Sequence, residues 1–223
     1  MPDGQYSFYL HSDDRTDIAA MATISTISQP LRGEFIRTAA TAGAVVYQVD
    51  ARLPALIPVF FAGQLSAVRL CAVMALVSGT WSSLTGLPDE PENGGAALPM
   101  SPETEYQRRR YTLTLQNGRS GERVESVLTE ASSRLRGDLL RNLIITGLAL
   151  HTTAPELPRL LASMPVPPTS VSELQALVQQ MAGTADVNRA AAAVPDTPAA
   201  SAAPVSGSDT GEIKKNMRRA FGD

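Results

Sequence analysis

The chain has 223 residues, enough for one ordinary domain or two small ones. Its 19 Lys+Arg stand against 22 Asp+Glu, a formal net charge of −3, which excludes a uniformly basic coat for non-specific nucleic-acid binding. One cysteine, Cys71, excludes a disulfide framework and a cysteine-based zinc site, and two histidines, His11 and His151, argue against a His-rich metal centre.

The opening Met-Pro-Asp-Gly-Gln is polar and carries no basic-then-apolar leader, so a cytoplasmic protein is expected. The first predicted element is a short strand. Tyr6, Phe8 and Leu10 alternate with Gln5, Ser7, Tyr9 and His11, the period of two of a half-buried strand. A helix follows, with Ile18, Met21, Ala22 and Ser25 on its inner side. Ser28-Gln29-Pro30 then offers a cap and an early proline to a second helix starting near Arg32. Leu53-Pro54 starts a short third helix or turn, and an apolar helix covers about 66–78. Cys71 lies on that helix and reads as core. Residues 59–78 are apolar enough to raise a membrane span, but Gln64 and Arg69 interrupt them. A buried helix is expected, and no membrane partner.

Residues 85–105 hold five acids, no base and several Pro and Gly, the composition of a linker. The elements then begin again. Tyr111, Leu113 and Leu115 alternate with Arg110, Thr112, Thr114 and Gln116. Val124, Val127, Leu128 and Ala131 fall at helical spacing. Ser132-Ser133 precedes a second helix near Arg136. Leu31-Arg32-Gly33-Glu34-Phe35-Ile36-Arg37 returns as Leu135-Arg136-Gly137-Asp138-Leu139-Leu140-Arg141, an offset of 104. Without a gap, 31–80 over 135–184 gives 13 identities in 50 positions. The strands align at an offset of 105, one gap away. The chain therefore reads as two copies of one unit. The predicted division is repeat 1 at 1–84, the linker at 85–105 and repeat 2 at 106–184. A disordered Ala/Pro/Ser/Thr tether follows at 185–210, then a basic amphipathic tail at 211–223. As a flexible coil that tether would span about 28 Å.

One strand per copy leaves its backbone hydrogen bonds unpaired. Pairing the two strands solves this, and the neighbouring helices then share one core. The expected fold is mainly α with a small two-stranded antiparallel β ribbon. It is a tandem ribbon-helix-helix pseudo-dimer with additional C-terminal helices in each repeat. Such a ribbon fits the major groove of double-stranded DNA.

On the DNA reading, the outward residues Gln5, Ser7, Tyr9, Arg110, Thr112 and Thr114 read base edges. The plain alternative is a solvated strand. The starts of the second helices would hold phosphates through Arg32, Gly33, Arg134, Arg136 and Gly137, with Arg108 and Arg109 adding contacts. Routine capping is the alternative there. Residues 106–141 hold eight Arg against four acids, so asymmetric binding is expected. Arg37 and Arg141 either join that surface or pair with Glu34 and Asp138. In the tail, Ile213, Met217, Ala220 and Phe221 share one side, and Lys214, Lys215, Arg218 and Arg219 the other. Such a helix suits a groove on a partner. A DNA-contacting tail, or one docked on its own domain, are the alternatives. No phosphate loop, metal spacing or nucleophile–base pair is seen, so neither an enzyme nor a cofactor or metal site is expected.

The sequence resembles the centromere-binding adaptors of plasmid partition systems, the ParR or StbB family of plasmid stability proteins. The resemblance rests on Tyr6-Ser7-Phe8-Tyr9-Leu10, on Leu31 to Arg37, on Ala42-Gly43-Ala44, on Gln48 to Leu56 and on Phe60-Phe61. It covers the first copy well and the second more loosely. A usual member supplies one unit and dimerises, whereas this chain carries two. The resemblance implies binding to centromere-like DNA repeats and self-association along them. It also implies that the tail engages an actin-like ATPase filament, ParM, with Ile213, Met217 and Phe221 as anchors and the four cations on an acidic rim. A ribbon-helix-helix repressor, a conjugation relaxosome accessory protein or an antitoxin would use the same ribbon without a filament.

Overall fold

A computed structural model describes residues 4–80 and 108–192. The predicted linker, most of the tether and the whole tail, including Ile213, Lys214, Lys215, Met217, Arg218, Arg219 and Phe221, lie outside the described residues. The chain divides into two units, 1–187 and 188–223, and the core belongs to the first.

The elements repeat in order. The first copy has β1 (Gln5–His11), α1 (Arg15–Ser25), α2 (Gln29–Val49), α3 (Leu53–Phe60) and α4 (Ala67–Ser78). The second has β2 (Arg108–Thr114), α5 (Arg119–Glu130), α6 (Arg136–Thr153), α7 (Leu157–Ser163) and α8 (Val171–Ala192). β1 and β2 pair antiparallel, with Ser7 opposite Thr112. These two residues are equivalent at the strand offset of 105, so the ribbon's centre lies on the pseudo-dyad between the copies. The inward residues Phe8, Leu10, Leu113 and Leu115 are buried, and Tyr6 and Tyr111 are half-buried. β2 starts at Arg108, two residues before the alternating run that begins at Arg110, and His11 and Leu10 pair with Arg108 and Arg109.

The same dyad runs through the crossing of α2 and α6. Both helices are buried all round at mid-length, over Ala39–Val46 and Leu143–Leu150. An all-round buried helix must be packed on every side. Gly43 lies against the Leu143 backbone, and its counterpart Gly147 against the Ala39 backbone. Ala39 and Leu143 are themselves equivalent, so one close contact is made twice.

The third helices are exchanged. α3 of the first copy packs on α6, and α7 of the second packs on α2. Each is also tied to the first helix of its own copy by one equivalent hydrogen bond. Thr16 Oγ1 donates to the Pro58 carbonyl at 3.2 Å, and Ser120 Oγ to the Ala162 carbonyl at 3.3 Å. Neither copy closes a core without the other.

Three expectations need correction. The buried side of α1 is Asp17, Ala19, Ala20 and Ile24, whereas Ala22 and Ser25 are exposed and Ile18 and Met21 half-buried. The alignment passes from an offset of 105 in the strands to 104 in the helices, so Ala20 and Ile24, not Ile18 and Ala22, answer Val124 and Leu128. Second, α8 continues to Ala192, into the stretch assigned to the tether from 185. Its Ala-rich sequence has strong helix propensity, and no proline occurs before Pro195. Third, neither second helix carries the expected serine cap. Ser28 is the N-cap of α2 without a side-chain bond, and Leu135 is the N-cap of α6. Arginines close those turns instead, as described below. The apolar stretch 59–78 is broken between α3 and α4, and among the described residues no helix is long and apolar enough to cross a membrane.

Candidate nucleic-acid interface

Alternation along the ribbon puts one row of side chains on its outer face. The cross-strand pairs there are Gln5–Thr114, Ser7–Thr112, Tyr9–Arg110 and His11–Arg108. All six predicted base-reading residues therefore share one surface. Gln5, Arg110, Thr112 and Thr114 are exposed, while Ser7 and Tyr9 are half-buried. Arg108 and His11 belong to the same row, so Arg108 shares the face of the six residues expected to read bases.

Arginines on this face are held by their neighbours. Arg110 donates to Ser7 Oγ through Nε at 3.2 Å and Nη2 at 2.9 Å. The Arg108 guanidinium lies 3.5 Å from the centre of the Tyr9 ring, a cation–π contact. Tyr9 thus supports a cation on the outer face. The two ends of the ribbon differ. One carries Tyr9, His11, Arg108 and Arg110, and the other Gln5 and Thr114. The geometry is two-fold but the chemistry is not.

Arg109 takes the opposite face. It lies 5.2 Å from the centre of the Tyr111 ring, which stacks on Phe8 at 5.3 Å. Burial pushes the Tyr111 hydroxyl above its ordinary pKa, and Arg109 and Arg32 partly offset that.

At the second helices, Arg32 Nε donates to the Ile27 carbonyl at 2.8 Å and Nη2 to the Ser25 carbonyl at 3.2 Å. Arg136 Nε donates to the Ala131 carbonyl at 3.2 Å, the equivalent bond. These arginines close the turn between the first and second helices and occupy carbonyls left open at a helix end. Gly33 and Arg134 are exposed. Gly137 lies close to the ribbon, where an added Cβ would stand 3.5 Å from the Ser7 carbonyl oxygen. Leu31 and Leu135, equivalent residues at the same helix starts, are 57% and 58% exposed. The repeat marks them as equivalent, but only their shared exposure singles them out as surface residues.

Arg141 does not pair with Asp138. It reaches α1 of the other copy, with Nε 2.6 Å from Asp17 Oδ1 and Nη2 3.3 Å from Asp14 Oδ2. Nor does Glu34 pair with Arg37 among the described residues. Side chains at i and i+3 can meet on a helix, but a buried carboxylate on α1 offers Arg141 a less screened charge. Asp17 had no signal in the sequence, because its counterpart in the second copy is Gly121. His151 holds the turn after α6, with Nδ1 3.1 Å from the Pro155 carbonyl oxygen and its ring edge-on to Phe35 at 5.0 Å.

Two fused strand-helix-helix copies, joined through one ribbon with a polar outer face, define a single-chain ribbon-helix-helix pseudo-dimer. The chain belongs to the plasmid stability protein family: the family's model matches twice, over residues 4–74 and 109–178, once in each copy. Neither a curated protein nor a solved structure matches the chain.

Proposed function

We propose that the protein is a sequence-specific DNA-binding adaptor for plasmid partition, acting by binding and not by catalysis. The observation that carries this reading is the single outer row formed by Gln5, Ser7, Tyr9, Arg110, Thr112 and Thr114. Family membership supports a role in plasmid maintenance. Arg110 suits bidentate pairing with guanine, and Ser and Thr suit either partner. The cationic end and the neutral end of the ribbon read different half-sites, so the target is not a palindrome. Arg32, Gly33, Arg134, Arg136 and Gly137 flank the ribbon as phosphate contacts, with Arg108 and Arg109 at its cationic end.

Molecules on adjacent sites associate through the α3–α4 segment. Val59, Phe60, Val68 and Leu76 are exposed there, whereas their second-copy counterparts are Ser163, Met164, Ser172 and Gln180. The tail couples the DNA complex to an actin-like ParM filament.

A DNase I footprint on the DNA flanking the gene tests the reading. Evenly spaced protected repeats, unchanged on removal of 211–223, are expected. One short protected operator would favour a repressor or a relaxosome accessory protein. No protection at any concentration would remove the ribbon from the groove. Arg110→Gln is expected to cost about 10- to 100-fold in specific affinity, with far-UV circular dichroism unchanged. Equal affinity for target and scrambled DNA in the unaltered protein would defeat base reading. Deleting 211–223 is expected to abolish filament capture in a co-sedimentation assay and to leave DNA affinity within about twofold. A large loss of DNA affinity would move the tail to the DNA surface.

A further inference from the structure

The two copies differ in charge where the strand turns into the first helix. The first reads Asp13-Asp14-Arg15-Thr16-Asp17, and the second Asn117-Gly118-Arg119-Ser120-Gly121. Three carboxylates become an amide and two glycines. The arginine and the hydroxyl residue stay. The long-helix arginine beside each turn also stays: Arg141 at the first and Arg37 at the second.

In the first copy, carboxylates fill this place. Asp17 accepts from the His11 backbone N–H at 2.9 Å and from Arg141 Nε at 2.6 Å. Asp14 caps α1 by accepting from the Asp17 N–H at 3.0 Å, and it lies 3.3 Å from Arg141. In the second copy the same place is a recess of about 240 Å³, lined by Arg37, Thr38, Thr41, Gln116 and Arg119 together with Glu34. Gly118 gives α5 no side-chain cap. The α5 N-terminus therefore lacks the capping carboxylate that Asp14 gives α1, although Glu122 places an exposed acid in its first turn. Among the described residues Arg37 makes no ion pair. Glu34 precedes it by three residues on α2, as Asp138 precedes Arg141, and Asp138 leaves Arg141 to other partners. Among the described residues the acid on the helix forms no ion pair with the arginine in either copy.

We infer that this recess binds a phosphate group in place of the missing carboxylates. An arginine fork, a second arginine and a helix start are the donors that tetrahedral oxyanions use. Filling the recess from the chain is blocked, because a Cβ at Gly121 would collide with the Gln116 carbonyl oxygen and Gly118 has φ 131°. The phosphate is either a free anion or a backbone phosphate of nucleic acid lying past the end of β2. The inference does not rest on base reading by the ribbon.

The full chain is titrated with inorganic phosphate against chloride at constant ionic strength, and the thermal midpoint and the ³¹P line width are followed. In parallel, the salt dependence of DNA affinity is measured. Arg37→Met is the test variant, Arg37→Lys controls folding and charge, and Arg110→Gln controls for the ribbon. A saturable phosphate-dependent rise in midpoint that Arg37→Met loses and Arg110→Gln keeps identifies a free-anion site. A fall of about 1 in the salt slope of DNA binding in Arg37→Met identifies a backbone phosphate. Either result supports the inference. If Arg37→Met matches the unaltered protein in both measurements, the recess binds no phosphate and the inference is wrong.

Discussion

Gly43→Ala is expected to destabilise the protein by about 3 kcal/mol, the upper end of the cost of overpacking a well-packed core. The new methyl would collide with the Leu143 carbonyl oxygen and stand 2.6 Å and 2.7 Å from that residue's C and Cα. Those atoms belong to the middle of α6, buried on every side, so they cannot swing away as a side-chain tip could. Helix propensity works the other way, since alanine is favoured over glycine by about 1 kcal/mol in a helix interior. The clash exceeds it. Gly147→Ala is expected to cost as much, because its methyl would meet the Ala39 backbone in the same way, 2.6 Å from the carbonyl carbon. Gly33→Ala is the control. Its nearest neighbour would be the Arg37 guanidinium at 3.7 Å, an ordinary contact, so only the propensity gain remains. The three variants are compared by urea unfolding midpoint at unchanged slope. Equal midpoints for Gly43→Ala and Gly33→Ala would mean that the helices do not cross at that glycine. A loss near 3 kcal/mol is a large share of a net stability of about 5–15 kcal/mol.

Gly43 and Gly147 show what a sequence gives up and what it withholds. Their alignment was visible, but a glycine inside a helix does not name the backbone that approaches it. The ribbon was legible because Phe8, Leu10, Leu113 and Leu115 alternate with polar residues, and alternation fixes a face without any knowledge of the partner. The pairing of the strands followed from the need to satisfy their hydrogen bonds. The exchange of α3 and α7 between copies was not legible, since it depends on contacts about a hundred residues apart. The local role of Arg32 and Arg136 was hidden for a different reason. A basic residue at a helix start suits a phosphate and a neighbouring carbonyl equally well, and only geometry shows that Arg32 and Arg136 reach a carbonyl. In α8, composition misled: an alanine-rich stretch reads as a coil when no apolar period is present, although alanine is the best helix former.

Arg141→Met is expected to cost about 3–5 kcal/mol at neutral pH, the penalty for leaving a buried charge without its partner. The Asp17 side chain is only 1% exposed, and Arg141 20%. Burial pushes the Asp17 carboxyl above the usual carboxylate range, while the His11 N–H and then Arg141 hold it back. Removing Arg141 therefore raises it further. A raised carboxyl contributes stability that is fully present below its unfolded pKa and is lost as pH rises through the folded one. The penalty of Arg141→Met relative to the unaltered protein should thus shrink as the pH is lowered from neutrality, as Asp17 takes up a proton. Carboxylates remote from Arg141 cancel in the difference. Asp17→Asn placed on Arg141→Met removes the charge without removing the acceptor for the His11 N–H. It should recover part of the loss at pH 7 and flatten the pH dependence, so the two changes together cost less than their sum. A penalty constant with pH, or strict additivity, would show that Asp17 does not carry the burden and that Arg141 acts through packing alone. The equivalent change at Arg37 breaks no ion pair among the described residues, so Arg37→Met should leave stability near that of the unaltered protein in the absence of phosphate. The difference between two arginines at one repeat position follows from a single exchange of aspartates for glycines.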